Sequence, residues 1–164
     1  MRSFHHTALA VLAAAALPGL AACAPEADSP PGDTATAAAT AGLTVSNARV
    51  VLAAVAGNPA AVYFDLTYAG PAGVSLTEVD VEGAGMTMIH DYAKTSGKMQ
   101  MVMADAVPLA EGAPVTFAPG GLHVMAFDPT DALEAGGTAK VTLTLSNGAA
   151  ATIEAPVRAA GDER

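Results

Sequence analysis

The sequence predicts an all-β protein with one folded domain, either a β-sandwich or a β-barrel. From residue 43 onward, short runs rich in Val, Leu, Thr and Tyr alternate with breaks made of Gly, Pro, Asn and Asp, a pattern typical of strands joined by tight turns. The 164-residue chain contains 16 glycines and 11 prolines, a content that disfavours a helical bundle. No helix of ordinary length is expected, and this length suits one domain better than two.

Nine strands are expected, each separated from the next by turn-forming residues. Between Thr77 and Glu82, two valines alternate with three carboxylates, which predicts a strand with one buried face and one solvated face. The pair Asn147-Gly148 predicts a tight hairpin between the last two strands. The strands are expected near residues 43–52, 61–69, 74–82, 86–94, 98–106, 113–117, 121–127, 138–146 and 150–157.

The first 22 residues have the layout of a bacterial secretory signal. A short polar start that includes Arg2 precedes an apolar run from Ala8 to Ala22. That run is too short for a membrane-spanning helix, which needs about 20 apolar residues. The run ends in LAAC at positions 20–23, which resembles the lipobox of bacterial lipoproteins. Cys23 is therefore expected to be lipidated, and an ordinary signal peptide with a chance cysteine is the alternative.

The chain is expected to divide into four segments: a lipoprotein signal peptide (1–22), the lipidated cysteine with a disordered tether (23–41), a β domain (42–158) and a flexible tail (159–164). Residues 24–41 are rich in Ala, Pro, Thr and Asp, and such a segment cannot bury enough surface to become ordered. A lipid anchor at Cys23 would hold the domain on the periplasmic side of the cell envelope. By resemblance to other lipoproteins, Ala24 favours the outer membrane over the inner one.

Charge and cysteine content disfavour several classes of protein. The formal net charge of -9 makes nucleic acids and anionic lipid surfaces poor partners, because both repel an acidic chain. Cys23 is the only cysteine, so the mature chain has no internal disulfide and no downstream thiol for metal binding or nucleophilic catalysis. The chain also lacks a G-x-S-x-G motif. An enzyme is therefore the least supported class.

Histidine and methionine are confined to one stretch of the chain. Beyond the predicted signal peptide there are two histidines and six methionines, all between residues 86 and 125. Methionines that merely fill a core would be more dispersed. Thioether sulfur is soft and selects Cu(I), imidazole suits either oxidation state of copper, and methionine cannot be lost to a disulfide outside the cytoplasm. The pattern indicates an exported copper-binding protein.

Strand geometry predicts which of these side chains share a face. Residues two apart on a strand point to the same side, about 7 Å apart. Three rows of soft ligands are expected: Met86, Met88 and His90; Met99, Met101 and Met103; His123 and Met125. If the rows converge at one end of the domain, four ligands can meet on one ion without strain.

One set of four residues has a recognisable spacing. His90, Met101, His123 and Met125 form the pattern H-x10-M-x21-H-x-M, which resembles the signature of the PCu(A)C family of periplasmic copper chaperones (DUF461-type). The surrounding GKMQM at 97–101 and PGGLHVM at 119–125 are similar as well, and the resemblance covers roughly residues 42–157. It implies a cupredoxin-like, immunoglobulin-like antiparallel β-sandwich. In this sandwich the four residues bind Cu(I), with Cu(II) as an additional oxidation state.

The resemblance also implies a recipient. Relatives of this family deliver copper towards the copper centres of cytochrome c oxidase, directly to a subunit or through a thiol-bearing assembly factor. Two departures are present: Asp91 and Tyr92 follow the first histidine where many relatives have Met or Thr, and no His- and Met-rich extension follows the domain. Three of the four remaining methionines are candidates for an accessory metal site or for shielding the ion from water: Met88, Met99 and Met103.

Four alternatives stay open beside the copper chaperone. The first is a copper buffer or resistance lipoprotein without a dedicated recipient. The second, an electron-transfer cupredoxin, needs a cysteine ligand, and Cys23 precedes the tether. The third is a metal-free structural or adhesion lipoprotein. The fourth, a calcium protein, would use the row of Glu78, Asp80 and Glu82, which is more simply a solvated strand face.

Overall fold

Strands are the only regular secondary structure in residues 38–162, the part of the chain that the computed structural model describes. The predicted signal peptide, Cys23 and most of the predicted tether lie outside the described residues, as do residues 163–164. The strands are β1 (Ala38–Thr40), β2 (Leu43–Val51), β3 (Ala60–Tyr68), β4 (Ser75–Val81), β5 (Met86–Thr95), β6 (Lys98–Met103), β7 (Val107–Pro108), β8 (Val115–Phe117), β9 (His123–Phe127), β10 (Thr138–Leu145) and β11 (Ala150–Arg158).

All nine predicted strands are present, and the structure adds two short ones. β7 has only two residues, too few to produce an alternating pattern. β1 lies at the end of the segment 23–41 that is expected to form the tether. Ala41 and Gly42 adopt positive φ angles of 57° and 79°, so the chain turns sharply and Ala38–Thr40 pairs antiparallel with the start of β2.

The strands form a sheet in the order β6-β5-β9-β3-β2-β11-β10-β4-β7, with β1 paired to β2 and β8 paired to β3. The predicted antiparallel arrangement holds for every named strand pair but one. Residues 150–156 of β11 pair antiparallel with β10, whereas Val157 and Arg158 run parallel to Val50 and Val51 of β2. The sheet is therefore mixed, because the end of β11 leaves β10 and joins the β2 side.

The core lies between strands that bury alternate residues. β3 alternates buried and half-buried residues along its whole length, and β10 and β11 follow the same period, as expected for strands with one face against the interior. The rings of Phe64 and Phe117 stack in the core with centroids 4.2 Å apart, since the two residues are directly opposite in the β3–β8 pair. Leu76, Val141 and Leu143 from the other side of the fold join the same buried cluster.

Two strands of this sheet, β5 and β9, have an inner face in the core and an outer face that carries histidine and methionine. Ile89 of β5 and Val124 and Ala126 of β9 belong to the core. Because side chains alternate along a strand, the histidines next to Ile89 and Val124 point outward. None of the described residues belongs to a helix long and apolar enough to cross a membrane.

Candidate metal centre

Strand pairing places the predicted ligands on one face of three neighbouring strands. In the β5–β9 pair, His90 is directly opposite His123 and Met88 is opposite Met125. In the β5–β6 pair, His90 is opposite Met103. Opposite residues of an antiparallel pair point to the same side, so these side chains share the outer face. We call this surface the methionine face, and it comprises Met86, Met88, His90, Tyr92, Lys94, Met99, Met101, Met103, His123, Met125 and Phe127.

A two-residue hairpin loop sets the register of β5 against β6. Thr95 and Lys98 are paired, and Ser96 and Gly97 between them have φ angles of 53° and 82°. Two consecutive positive φ angles are the requirement of a type I′ turn, whose twist matches that of the flanking strands. This loop fixes which methionines of β6 lie opposite the histidine strand.

A tight turn before β9 orients the imidazole of His123. Pro119 and Gly120, the latter with φ of 82°, occupy the central positions of a turn closed by a 3.1 Å hydrogen bond from the Gly121 amide to the Ala118 carbonyl, as in a type II turn. The carbonyl oxygen of Gly121 lies 2.8 Å from Nδ1 of His123. Because that oxygen can only accept, Nδ1 of the neutral imidazole carries the proton. The Nε2 atom of His123 therefore presents a free lone pair.

That lone pair points at a sulfur atom. Nε2 of His123 lies 3.2 Å from Sδ of Met101, and His123 is only 6% exposed. In the neutral imidazole with its proton on Nδ1, both atoms of this contact carry lone pairs and no hydrogen lies between them. An ion that accepts electron pairs from nitrogen and sulfur fits this juxtaposition, and soft Cu(I) is the metal that such a pair prefers.

His90 contributes a second imidazole whose electronic state suits metal binding. Its ring centroid lies 5.8 Å from that of His123, with the planes at 60°. Nδ1 of His90 is buried without a hydrogen-bond partner among the described residues. Burial lowers the pKa of His90 below its ordinary value, and repulsion from His123 when that ring is protonated lowers it further. The His90 imidazole is therefore neutral near pH 7 and can offer a nitrogen lone pair.

Four further methionines lie on the same face: Met88, Met99, Met103 and Met125. Met125 lies two residues along β9 from His123 and is half-buried opposite Met88. Met103 is directly opposite His90 and is 60% exposed, and Met99 is 62% exposed at the far end of β6. The structure thus brings His90, His123 and Met101 together and keeps Met125 on the same face, and the ligand role of each remains a prediction.

Tyr92 also belongs to the site, although the family pattern indicates it only as a departure. Its ring stacks on the imidazole of His123 with centroids 5.7 Å apart and planes at 28°, and its backbone is opposite Met101. Tyr92 is two residues from His90 on the same strand, so parity alone would have placed it on the methionine face.

The alternative metal sites find less support. Across residues 38–162, no three side chains among His, Cys, Asp and Glu come together in a group that could hold an ion. In the predicted calcium row, Glu82 is instead joined to Lys140 at 3.6 Å, with both side chains largely exposed.

An all-β domain that presents two histidines and a methionine row on one outer face has the features of a PCuAC-type domain, as the spacing pattern predicts. Residues 43–157 match the LpqE-like family model. This match covers more than half of the chain and every predicted ligand, so the protein belongs to the LpqE-like family. The resemblance to the PCu(A)C copper chaperones is thereby confirmed.

Solved structures agree with this assignment at the level of the fold. A copper-bound PCuAC domain from PmoF2 matches with a TM-score of 0.61 and 22% identity, over 74% of this chain and 97% of that domain. An apo PCuAC domain from PmoF1 has a TM-score of 0.58 and 27% identity, over 73% of this chain and 96% of that domain. The Cu(I) form of DR1885 from Deinococcus radiodurans, solved in solution, has a TM-score of 0.55 and 22% identity. The match covers 79% of this chain and 85% of that one. Comparison with curated proteins gave no match.

Proposed function

We propose that this protein is a Cu(I) chaperone of the bacterial cell envelope, which binds one copper ion through His90, Met101, His123 and Met125 and passes it to another protein. The observation that carries the proposal is the 3.2 Å approach of Nε2 of His123 to Sδ of Met101, with the Nδ1 proton held by Gly121. The relatives described as copper-bound and as a Cu(I) form support the choice of metal.

The location of the four side chains supports transfer rather than storage. They lie on an outer sheet face beside β6, which is the last strand of the sheet, and Met101 is 49% exposed. A partner's ligand can therefore approach from the solvent side while His90 and His123 still hold the ion from the inner side. Uncharged thioethers bind without competition from protons and exchange readily with a stronger thiolate ligand.

The recipient and the location are proposed on the sequence. We infer a copper-receiving partner that is a cytochrome c oxidase subunit or a thiol-bearing assembly factor, as the family resemblance implies. A lipid anchor at Cys23 would confine the exchange to proteins on the periplasmic side of a membrane. Ala24, which follows the cysteine, favours the outer membrane by resemblance to other lipoproteins.

A competition titration tests the copper-binding part of this proposal. The protein with Cys23→Ser, so that no thiol interferes, is titrated with Cu(I) against a chromophoric chelator. We expect one tight site that weakens at least tenfold, or about 1.4 kcal/mol, in both His123→Ala and Met101→Ala. Met86→Leu is the matched control, because Met86 is an exposed methionine of the same face outside the predicted ligand set. Equal affinity in all four proteins would remove the site assignment.

The chaperone and buffer alternatives are separated in cells. Deleting the gene under copper limitation should lower oxidase activity if the protein delivers copper. Normal oxidase activity together with copper sensitivity would instead identify a buffer, and complementation with Met101→Ala would show whether the phenotype depends on this site.

A further inference from the structure

The positive charge near the methionine face is an exception in this acidic chain. The formal net charge is -9, from 16 acidic and seven basic residues. Every residue that defines the methionine face is described, and none of them is Asp or Glu. Lys94 lies on this face, and Lys98 is at the tip of the same β5–β6 hairpin, paired with Thr95. The hairpin therefore carries two cations beside a face whose own residues include no carboxylate, and the carboxylates of Glu78 and Asp105 line a pocket with Met88 and Met103 at the end of β6 away from the hairpin tip.

These two lysines differ from Lys140, which has a counter-charge, and from Arg49, which has an aromatic and a hydrogen-bond partner. Lys140 pairs with Glu82, and Arg49 lies over the ring of Tyr63 at 5.0 Å and donates to the Asn47 carbonyl. Neither Lys94 nor Lys98 forms an ion pair within residues 38–162. Since Lys94 and Lys98 are exposed, their charges are directed to solvent and available to a second molecule.

Exposed apolar surface lies directly beside these charges. All six residues of β6 are exposed, and Met99 and Met103 are more than half exposed. Soluble proteins seldom leave a contiguous apolar patch in solvent unless it meets a partner, and flexible methionines suit surfaces that adapt to another protein. β6 also ends the sheet, so one of its backbone edges has no strand beside it.

We propose that the methionine face together with the tip of the β5–β6 hairpin is a docking surface for an acidic protein partner, whose carboxylates pair with Lys94 and Lys98 and whose apolar residues cover Met99 and Met103. The inference deepens the proposed function, since such a partner would be the one that exchanges copper. Lys94 is opposite Met99, the β6 residue two before Met101, so carboxylates held at the tip would align the partner with Met101.

The chain's own charge argues for an acidic protein over other occupants. If a second copy met this surface with its own methionine face, Lys94 and Lys98 would lie against the same two lysines, so a symmetric pair of copies is not complementary in charge. An anionic lipid surface is charged over its whole extent and repels the rest of the chain, whereas a protein partner can confine its carboxylates to the patch that meets Lys94 and Lys98. Complementary charge chiefly raises the association rate and selects the partner, which suits a brief transfer encounter.

Docking can be tested without copper. The metal-free 15N-labelled protein is titrated with a synthetic peptide in which glutamates flank a pair of methionines, and with its counterpart in which lysines replace the glutamates. We expect the glutamate peptide alone to shift the amide resonances of β5 and β6, with an affinity that falls as salt is added. In the double variant Lys94→Glu, Lys98→Glu, binding of the glutamate peptide should weaken roughly tenfold and the lysine peptide should now bind.

Lys140→Glu is the matched control, because it changes the same charge away from the hairpin and should leave the peptide preference unchanged. Equal shifts by both peptides, shifts confined to other strands, or tighter binding to anionic phosphatidylglycerol vesicles than to the glutamate peptide would overturn the inference. Cu(I) affinity, measured in parallel, should be the same in the lysine variants. Peptide docking without Cu(I) binding would refute the proposed function alone, and Cu(I) binding without charge-selective docking would refute this inference alone.

Discussion

His90 and His123 lie directly opposite each other in the β5–β9 pair, with ring centroids 5.8 Å apart and ring planes at 60°. Backbone hydrogen bonds between two strands, rather than flexible loops, set this separation. Sites built on strands hold their ligands more rigidly than sites built on loops. The two imidazoles are therefore positioned by the sheet itself, and Met101, the predicted ligand on the edge strand, is the most exposed of the three side chains.

The pKa of His90 gives the first prediction. Because burial and then the charge of His123 lower that pKa in the folded protein, the unfolded chain takes up a proton at a higher pH than the folded one. The free energy of unfolding should then be highest above pH 6.5, the ordinary pKa of histidine. It should fall as the pH decreases from there towards the lower pKa of the folded protein. NMR titration of the His90 ring protons in the metal-free protein measures the shift directly.

The matched comparison is His90→Asn, which should lose this component of the pH dependence of unfolding. A His90 that titrates at or above its ordinary value in the folded protein would contradict the burial inferred for its imidazole.

Tyr92 provides the second prediction. Its ring covers one face of the His123 imidazole, so removing it should loosen the orientation that directs Nε2 at Met101. An aromatic contact of this kind is worth about 1 kcal/mol, and we expect Cu(I) affinity in Tyr92→Ala to fall roughly fivefold. Tyr92→Phe keeps the ring and should bind as the wild type does. Equal losses in both variants would assign the effect to the hydroxyl group instead of to stacking.

The turn before β9 gives the third prediction. Gly120 has a φ of 82°, in the left-handed region that costs other residues about 1–2 kcal/mol, so Gly120→Ala should lower the free energy of unfolding by that amount. Gly121→Ala is the control. Gly121 has no positive φ, and a Cβ there would meet its closest atom, the Ala118 carbonyl oxygen, at an ordinary 3.8 Å. Chemical denaturation compares them, and equal losses in both variants would refute the role assigned to the turn.

The sequence allowed the strands and their faces to be predicted because alternation reports which side of a strand is buried. Thus Met99, Met101 and Met103 were correctly expected to share a face, as were His123 and Met125. Alternation carries no information about which strands are neighbours. The order β6-β5-β9, the parallel contact of β11 with β2, and the short strand β1 depend on pairing and turn conformation.

The candidate site was accessible to sequence reasoning only in part. Spacing and residue type identify His90, Met101, His123 and Met125, but not that the rows meet side by side on a sheet face instead of at one end of the sandwich. The Gly121 carbonyl that fixes the His123 tautomer is a backbone atom, which residue type does not report. The stacking of Tyr92 on His123 requires knowledge of the strand order.

X-ray absorption at the copper edge of the Cu(I)-loaded protein with Cys23→Ser tests the central claim most directly. We predict a shell that contains both nitrogen and sulfur, and a smaller sulfur contribution in each of the variants Met101→Leu and Met125→Leu. A shell of nitrogen and oxygen only, or a sulfur contribution that neither substitution changes, would contradict the assignment of His90, Met101, His123 and Met125 as the copper ligands.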